Sequence, residues 1–380
     1  MRLMRIGIDG IPLAAAKTGV GHYTFELARH LASGSQSHEF ELVSPFPFTE
    51  SVLDEQSQLP PNLKLVQART SPLRKHWWTI GLPLYARQAS FDLFHGTNYN
   101  VPLWNRCPTV MTIHDLSLFL YSETHEDHLV ARARMRLPTM IRTATKIITP
   151  SETVKEEVAT HLKVNQEKIV AIPEAARRGF VRKSGKEVGA LQRRLKIEDQ
   201  FILFVGTIEP RKNLITLIRA FEEIIRATSL RPQLVIAGKE GWLNNELFAY
   251  LKGTAAAERL RFTGYVSDEE LAALYSACSV FVYPSLYEGF GLPLLEAMAC
   301  GAPVITSQIP SIRETVGSAA RLVVPTDIGG LAQAIVNVLE DPAERAHLTS
   351  EGQKRAASFT WQKAAEATMK VYREVLDGNP

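Results

Sequence analysis

The chain has 380 residues, of which 45% are hydrophobic and 22% charged, so it carries enough apolar material for two α/β domains with separate cores. A formal net charge of only +3 argues against a polyanion-binding protein, and nucleic acid is not an expected partner. Three widely spaced cysteines, Cys107, Cys278 and Cys300, lie in apolar contexts that predict buried thiols rather than disulfides or zinc ligands.

The chain opens MRLMRIGIDGIPLAAAKTG, where Asp9 interrupts the apolar run and the glycines read as a strand and its turn rather than a signal peptide. No run of about 18 apolar residues follows anywhere, so no membrane span is expected. A cytoplasmic protein, at most peripheral to the inner face of a membrane, is the corresponding expectation. Strands are predicted at RIGID (5–9), EFELV (39–43), DLFHG (92–96), TVMTIHD (109–115) and KIITP (146–150). KTGVGHYTFEL (17–27) is a glycine loop entering a helix, with Gly19 and Gly21 in the turn. On that motif alone, a structural turn and a ligand loop are equally good readings. Residues 173–200 are polar and charged, and read as a linker with a solvated surface. A second series of strands follows at FILFVG (201–206), QLVIAG (233–238), LRFTG (260–264), VFVYP (280–284), PVITS (303–307) and RLVVP (321–325). The alternation of strands and helices predicts two Rossmann-like, doubly wound parallel sheets, one in residues 1–180 and one in 181–360. A last helix at 361–376 has Trp361, Ala364, Ala365, Met369, Val371, Tyr372 and Val375 at helical spacing, so one face is buried.

Two segments at strand ends carry chemistry. GTIEPRKNL (206–214) sets Arg211 and Lys212 before a helix that Asn213 is expected to cap. Fixed cations there can meet a diphosphate and stabilise charge as it develops on a leaving phosphate, although a lone Arg-Lys pair is ordinarily a solvated helix entrance. In YPSLYEGFGLPLLEAMACG (283–301), Glu288 and Glu296 bracket a turn in which Gly289 and Gly291 allow close backbone approach. Pro293 suits the first helical position. The N–H groups around Phe290, Gly291 and Leu292, with the positive end of the helix dipole, then make a phosphate site. Taken singly, Glu296 would read as a solvated residue of a first turn.

The E-x7-E spacing after a strand ending YPS resembles the signature of retaining glycosyltransferases of family 4, which have the GT-B fold. The resemblance implies two domains facing across a cleft, a C-terminal domain that binds a nucleotide-sugar donor, and a final helix (361–380) packed back on the first domain. It assigns donor-sugar hydroxyls to Glu288 and the ribose to Glu296. It also places the Gly19–Gly21 loop under the donor diphosphate and His114 at the donor sugar or the reaction centre. Asp115 then orients the histidine or caps the next segment, and Asn98 and Tyr99 in HGTNYNVP (95–102) fall on the acceptor side, at even odds with ordinary loop structure. Many relatives carry a basic residue where Thr207 stands, so the diphosphate here is expected to rest on Arg211, Lys212 and helix amides.

The similarity extends to bacterial mannosyltransferases of polysaccharide assembly that use GDP-mannose, with UDP-sugars left open. The base-reading loop is expected at GYVSDEEL (264–271), where Val266 is either a base contact or a core residue. The family implies a front-face mechanism with no catalytic metal and no cofactor beyond the donor. The sequence agrees, in that no D-x-D or His/Asp cluster lies near a strand end. The implied acceptor is a glycan or lipid-linked glycan. SPLRKHWWTIGLPLYAR (71–87), with Trp77 and Trp78, and ARARMRLPTMIR (131–142) combine basic and apolar residues. They suit either contact with an anionic membrane or amphipathic packing on the first sheet. An epimerase or phosphorylase of the same architecture, and a sugar-nucleotide-binding subunit without catalysis, are the competing classes.

Overall fold

A computed structural model of the chain describes residues 3–15, 17–68, 73–104, 107–254 and 256–378. The chain divides into two compact units. One runs to Leu116 and takes in Ala131–Glu174 and the chain from Thr360 onward; the other comprises Ser117–Val130 and Ala175–Phe359.

The first unit holds seven strands: β1 (Arg5–Asp9), β2 (Glu39–Ser44), β3 (Leu63–Gln67), β4 (Leu93–Gly96), β5 (Thr109–Thr112), β6 (Lys146–Thr149) and β7 (Ile169–Ala171). They pair in parallel in the order β3-β2-β1-β4-β5-β6-β7. The chain builds outward from β1 on one side and then returns to β4 on the other, which puts the topological switch point between β1 and β4. The second unit holds β8 (Phe201–Val205), β9 (Gln233–Ala237), β10 (Leu260–Gly264), β11 (Val280–Tyr283), β12 (Val304–Ser307) and β13 (Arg321–Val323). Their order is β10-β9-β8-β11-β12-β13, again parallel, with the switch point between β8 and β11.

Helices cover both faces of a parallel sheet, so its central strands are buried on both faces. In the second unit Leu203, Val235 and Phe281 feed one core, while Ile202, Phe204, Ile236 and Val282 feed the other. Several sequence expectations are corrected. β3 and β7 were not anticipated; both are edge strands, and β3 leaves Lys64 and Gln67 exposed. β5 stops at Thr112, which places His114 two residues beyond the strand rather than at its end. The 173–200 stretch is not a plain linker. It contains a helix, Gly185–Leu195, opened by a capping box between Ser184 and Glu187.

In the 71–87 segment the described part begins at Leu73. Trp77 is buried with Val43, Leu82, Phe91 and Phe94, which is the amphipathic-packing alternative and takes this tryptophan out of any membrane surface. The ARARMRLPTMIR segment lies in the Asp127–Thr143 helix, with Leu137 and Met140 buried and Met135 exposed. Among the described residues no helix is long and apolar enough to cross a membrane. Cys278 and Cys300 are buried, which pushes both thiols well above their ordinary range; Cys107 is only half-buried.

The Trp361–Leu376 helix belongs to the first unit. Its Tyr372 hydroxyl meets His95 Nδ1 at 2.6 Å, and His95 Nε2 meets Thr112 Oγ1 at 2.8 Å, which in turn bonds the Tyr23 hydroxyl at 2.9 Å. Burial, with His114 nearby, lowers His95 to about 3, so the ring is neutral and fits this chain of hydroxyls.

Candidate active site

In the second unit the switch point gathers the loops after β8 and β11. A short turn, Pro210–Lys212, leads to Asn213, a non-glycine residue in the left-handed region at φ 57°. Asn213 stands at the N-cap of the Leu214–Ala227 helix, but its side chain does not cap the helix as expected. Its amide donates to the carbonyls of Pro284 at 3.0 Å and Pro325 at 2.7 Å and accepts the Thr216 hydroxyl at 2.7 Å. It therefore ties together the loops that follow β8, β11 and β13. The Arg211 carbonyl accepts the N–H of Leu286 at 2.9 Å, which fixes the two basic residues against the glycine turn.

The result is a buried charge cluster. Lys212 Nζ lies 2.6 Å from Glu288 Oε1 and donates to the Tyr283 hydroxyl at 2.7 Å. Arg211 Nη1 donates to the Tyr287 carbonyl at 2.9 Å and lies 3.3 Å from Glu288 Oε2, while its Nη2 meets Glu209 Oε1 at 2.7 Å. Two cations thus face two carboxylates. Burial alone would raise the Glu288 carboxyl, but Lys212 and Arg211 outweigh it and hold the group at about 2. Burial and the neighbouring Arg211 lower Lys212, against the pull of Glu288 and Glu209.

The glycine turn leads into the Leu292–Ala299 helix. Its first residue is Leu292, so Pro293 occupies the second helical position rather than the first. Gly291 is required at the N-cap: its φ is +98°, and a Cβ there would come 2.8 Å from Leu294 Cδ1. No side chain caps this helix, and Pro293 has no N–H to satisfy. The Glu288 carbonyl takes the Ser311 hydroxyl, and the Phe290 carbonyl takes that of Thr315 at 2.8 Å. The Phe290 ring packs edge-on to Phe359 in the core.

Glu296 is apart from this cluster and 2% exposed. Arg177 grips it bidentately, Nε to Oε1 at 2.5 Å and Nη2 to Oε2 at 2.9 Å, and also donates to Asp268 at 2.7 Å. The guanidinium lies over the Phe180 ring at 4.3 Å. Burial lifts the Glu296 carboxyl above its ordinary range, with Arg177 pulling the other way. Arg177 belongs to the charged 173–200 stretch, so that stretch is not simply solvated surface. Any ribose contact by Glu296 must share oxygens already committed to Arg177. Val266 is buried in the core beyond β10.

In the first unit the Gly19–Gly34 helix follows β1, with Gly19 its first residue and Gly21 in the first turn. Thr18 supplies no side-chain cap. A Cβ on Gly21 would stand 3.0 Å from the Pro12 carbonyl, while Gly19 borders open space. His114 donates from Nε2 to the Thr97 carbonyl at 2.8 Å, and its Nδ1 meets Glu174 Oε1 at 3.2 Å. Both partners are acceptors. Burial opposes the charged ring, but Glu174 and the Thr97 carbonyl prevail and raise its pKa, and acceptors at both nitrogens favour the charged form. The Tyr23 ring meets it edge-on at 4.7 Å. Tyr99, in the left-handed region at φ 56°, donates its hydroxyl to the Asp115 carbonyl at 3.1 Å and accepts the Asp115 N–H at 2.9 Å. Asn98 is half-buried, and its side-chain amide has no hydrogen bond to another described residue.

Sequence reasoning therefore brought Arg211, Lys212 and Glu288 to one place and Tyr99, His114 and Asp115 to another. It missed Glu209, Tyr283, Arg177 and Glu174. The first two stand inside the quoted motifs, where an extra acid beside two cations and a tyrosine at a strand end were available signals. Among the described residues no group of three or more His, Cys, Asp or Glu is placed to hold a metal ion.

Residues 17–176 match the model described as Glycosyltransferase Family 4, and residues 191–355 the one described as Glycosyl transferases group 1. The O-antigen chain mannosyltransferase B of Escherichia coli is 30% identical over 382 residues, covering 97% of this chain and 100% of that protein. The MMP alpha-(1->4)-mannosyltransferase of Mycolicibacterium hassiacum is 27% identical, covering 94% and 95%. Among solved structures, Anabaena HepE in complex with UDP and glucose superposes with a TM-score of 0.74 at 20% identity, over 98% of this chain and 100% of that one. Two doubly wound parallel sheets, a cation cluster at the glycine turn and an end-to-end relative agree, and the chain belongs to the family 4 glycosyltransferases, with the GT-B fold.

Proposed function

We propose that this glycosyltransferase moves mannose, with retention, from GDP-mannose to a glycan or lipid-linked glycan acceptor in polysaccharide assembly, without a catalytic metal. The observation that carries the reading is the buried cluster of Lys212, Arg211 and Glu288 beside the uncapped helix start at Gly291. The names of the full-length relatives supply the sugar.

The chemistry follows from the charges. Glu288 stays ionised at working pH, so it cannot serve as a general acid; it accepts donor-sugar hydroxyls. When it does so, Lys212 and Arg211 turn from the carboxylate to the diphosphate, where they stabilise charge on the departing β-phosphate oxygen. The uncapped N–H groups at Gly291 and Leu292 add to that field. The acceptor hydroxyl oxygen bonds to the anomeric carbon as the bond from that carbon to the phosphate oxygen breaks, and the hydroxyl proton passes to the leaving phosphate oxygen. No second carboxylate is needed as nucleophile, unlike in retaining glycosidases. His114, with both nitrogens engaged, acts through Thr97 and Glu174 as a positioning residue. Glu296 and Arg177 work as a unit at the ribose end, and the Gly19 helix start borders the acceptor.

The test is direct. The protein is incubated with GDP-mannose, UDP-glucose or UDP-galactose and with mannotriose, in the presence and absence of EDTA. We expect GDP release that depends on mannotriose and is indifferent to EDTA, with an α-linked product by NMR. Faster turnover of a UDP-sugar removes the donor assignment, a β-linked product removes retention, and loss of activity in EDTA removes metal independence.

A further inference from the structure

The switch point of the second sheet carries the charge cluster, but that of the first sheet has an acidic group of its own. Asp9 closes β1, flanked by β2 on one side and β4 on the other. The residue is only 2% exposed. Its Oδ1 accepts the Ile11 N–H at 3.0 Å. No side chain among the described residues donates to the carboxyl, and no described Lys, Arg or His pairs with it. A carboxyl this buried, with no cation beside it and its second oxygen taking no hydrogen bond from a described side chain, is costly to keep. An Asn or Ser would serve the Ile11 N–H equally well, so the fold itself does not call for a carboxyl here.

The surroundings indicate what the second oxygen is for. Thr97, just past β4, donates its hydroxyl to the Asp9 carbonyl at 3.2 Å, so the ends of β1 and β4 are stitched together. The next residue is Asn98, whose side-chain amide also has no partner among the described residues. The Gly19–Gly34 helix starts close by, with Gly21 packed against the Ile11–Leu13 turn and Gly19 bordering open space. Together these present an acceptor, an amide and uncapped N–H groups at the carboxyl edge of a doubly wound sheet, where ligands bind. With no cation beside it, the Asp9 carboxylate repels a phosphate and suits a hydrogen-bond donor instead.

We propose that Asp9 binds the acceptor, its second carboxylate oxygen accepting a hydrogen bond from an acceptor-sugar hydroxyl, with Asn98 beside it. Burial raises the Asp9 carboxyl to about 7, so it is substantially ionised above neutrality and ready to accept. This inference rests on the glycosyl-transfer reading given above.

The experiment uses the full chain with GDP-mannose and mannotriose. Asp9→Asn keeps an oxygen for the Ile11 N–H and exchanges the other oxygen for an NH2 group; Asp9→Ser keeps a hydroxyl and removes the carboxyl. We expect the mannotriose KM to rise at least about tenfold in both variants, the worth of one hydrogen bond to a charged group. The GDP-mannose KM and the slow release of GDP to water should stay within about twofold, and the melting temperature should not fall. A mannotriose KM unchanged in both folded variants, or a donor KM that rises in step with it, overturns the role of Asp9. A wild-type protein that transfers nothing from GDP-mannose or UDP-sugars overturns the transfer reading and Asp9's role with it, whereas an active wild type matched by both variants removes Asp9 alone.

Discussion

Glu288 and Asp9 are both buried carboxyls at strand ends, yet their surroundings drive them in opposite directions. Lys212 and Arg211 bring Glu288 from 4.5 to about 2. Its contribution to stability is therefore present above the unfolded value and is lost as pH falls from 4.5 toward 2, a span worth roughly 3 kcal/mol. Asp9 goes from 3.8 to about 7, so the folded state holds the proton more tightly than the unfolded one. Stability then declines as pH rises from about 4 to 7, by roughly 4 kcal/mol from this group. Asp9→Asn should accordingly melt at the same temperature as the wild type near pH 3.5 and clearly above it at pH 8, measured by calorimetry in matched buffers. A higher melting temperature combined with poorer acceptor use would mark a residue kept for function against stability. Lys212→Ala tests the other carboxyl's partner. We expect kcat to fall by roughly 100- to 1000-fold with GDP-mannose, the usual loss when a fixed charge-stabilising donor is removed. A fall confined to KM would place Lys212 in ground-state binding instead.

At the scale of elements, the helix starting at Leu292 depends on one glycine. Gly291→Ala puts a methyl into a left-handed backbone position and against Leu294, and should cost about 2 kcal/mol or more in urea unfolding while weakening donor affinity. Arg177→Ala leaves Glu296 buried without its bidentate partner, and a loss of about 3–5 kcal/mol is expected by the same measurement. Arg177→Ala combined with Glu296→Gln should recover part of that loss, since the stranded charge is gone. These two sites also mark how far the sequence could be read. Gly291 was legible because the turn and the proline after it are neighbours in the chain. The Arg177 grip was not, because 119 residues separate it from Glu296 and no spacing rule links them. The same distinction runs through the sheets. β8, β9, β11 and β12 are buried along their whole length and carry apolar residues on both faces, and sequence reading found them. β3 and β7 lie at an edge, where half-exposed or very short strands lose the apolar signal. Asn213 reads as a helix cap by residue type, but its left-handed backbone turns the amide to distant carbonyls, which only the fold reveals.

For the whole molecule, the division into units does not follow the chain in two pieces. Ser117–Val130 leaves the first unit and joins the second before the chain returns at Ala131. Within the second unit Tyr121 packs on Tyr287 at 5.1 Å, the Trp242 indole N–H donates to the Thr124 carbonyl at 2.8 Å, and His125 stacks on Trp242. Tyr287 also supplies the carbonyl that Arg211 holds, so this excursion supports the floor of the charge cluster. Anyone grafting the second unit onto another glycosyltransferase by cutting at 175 and 359 would leave those fourteen residues behind. The transplant would keep Glu288, Lys212 and Arg211 but carry an uncovered Tyr287 ring and a Trp242 with nothing to donate to. A hybrid that also inherits residues 117–130 should turn over more donor than one built from the contiguous segment alone, so the natural unit of exchange in this enzyme is a domain together with a ribbon borrowed from the other half of its own sequence.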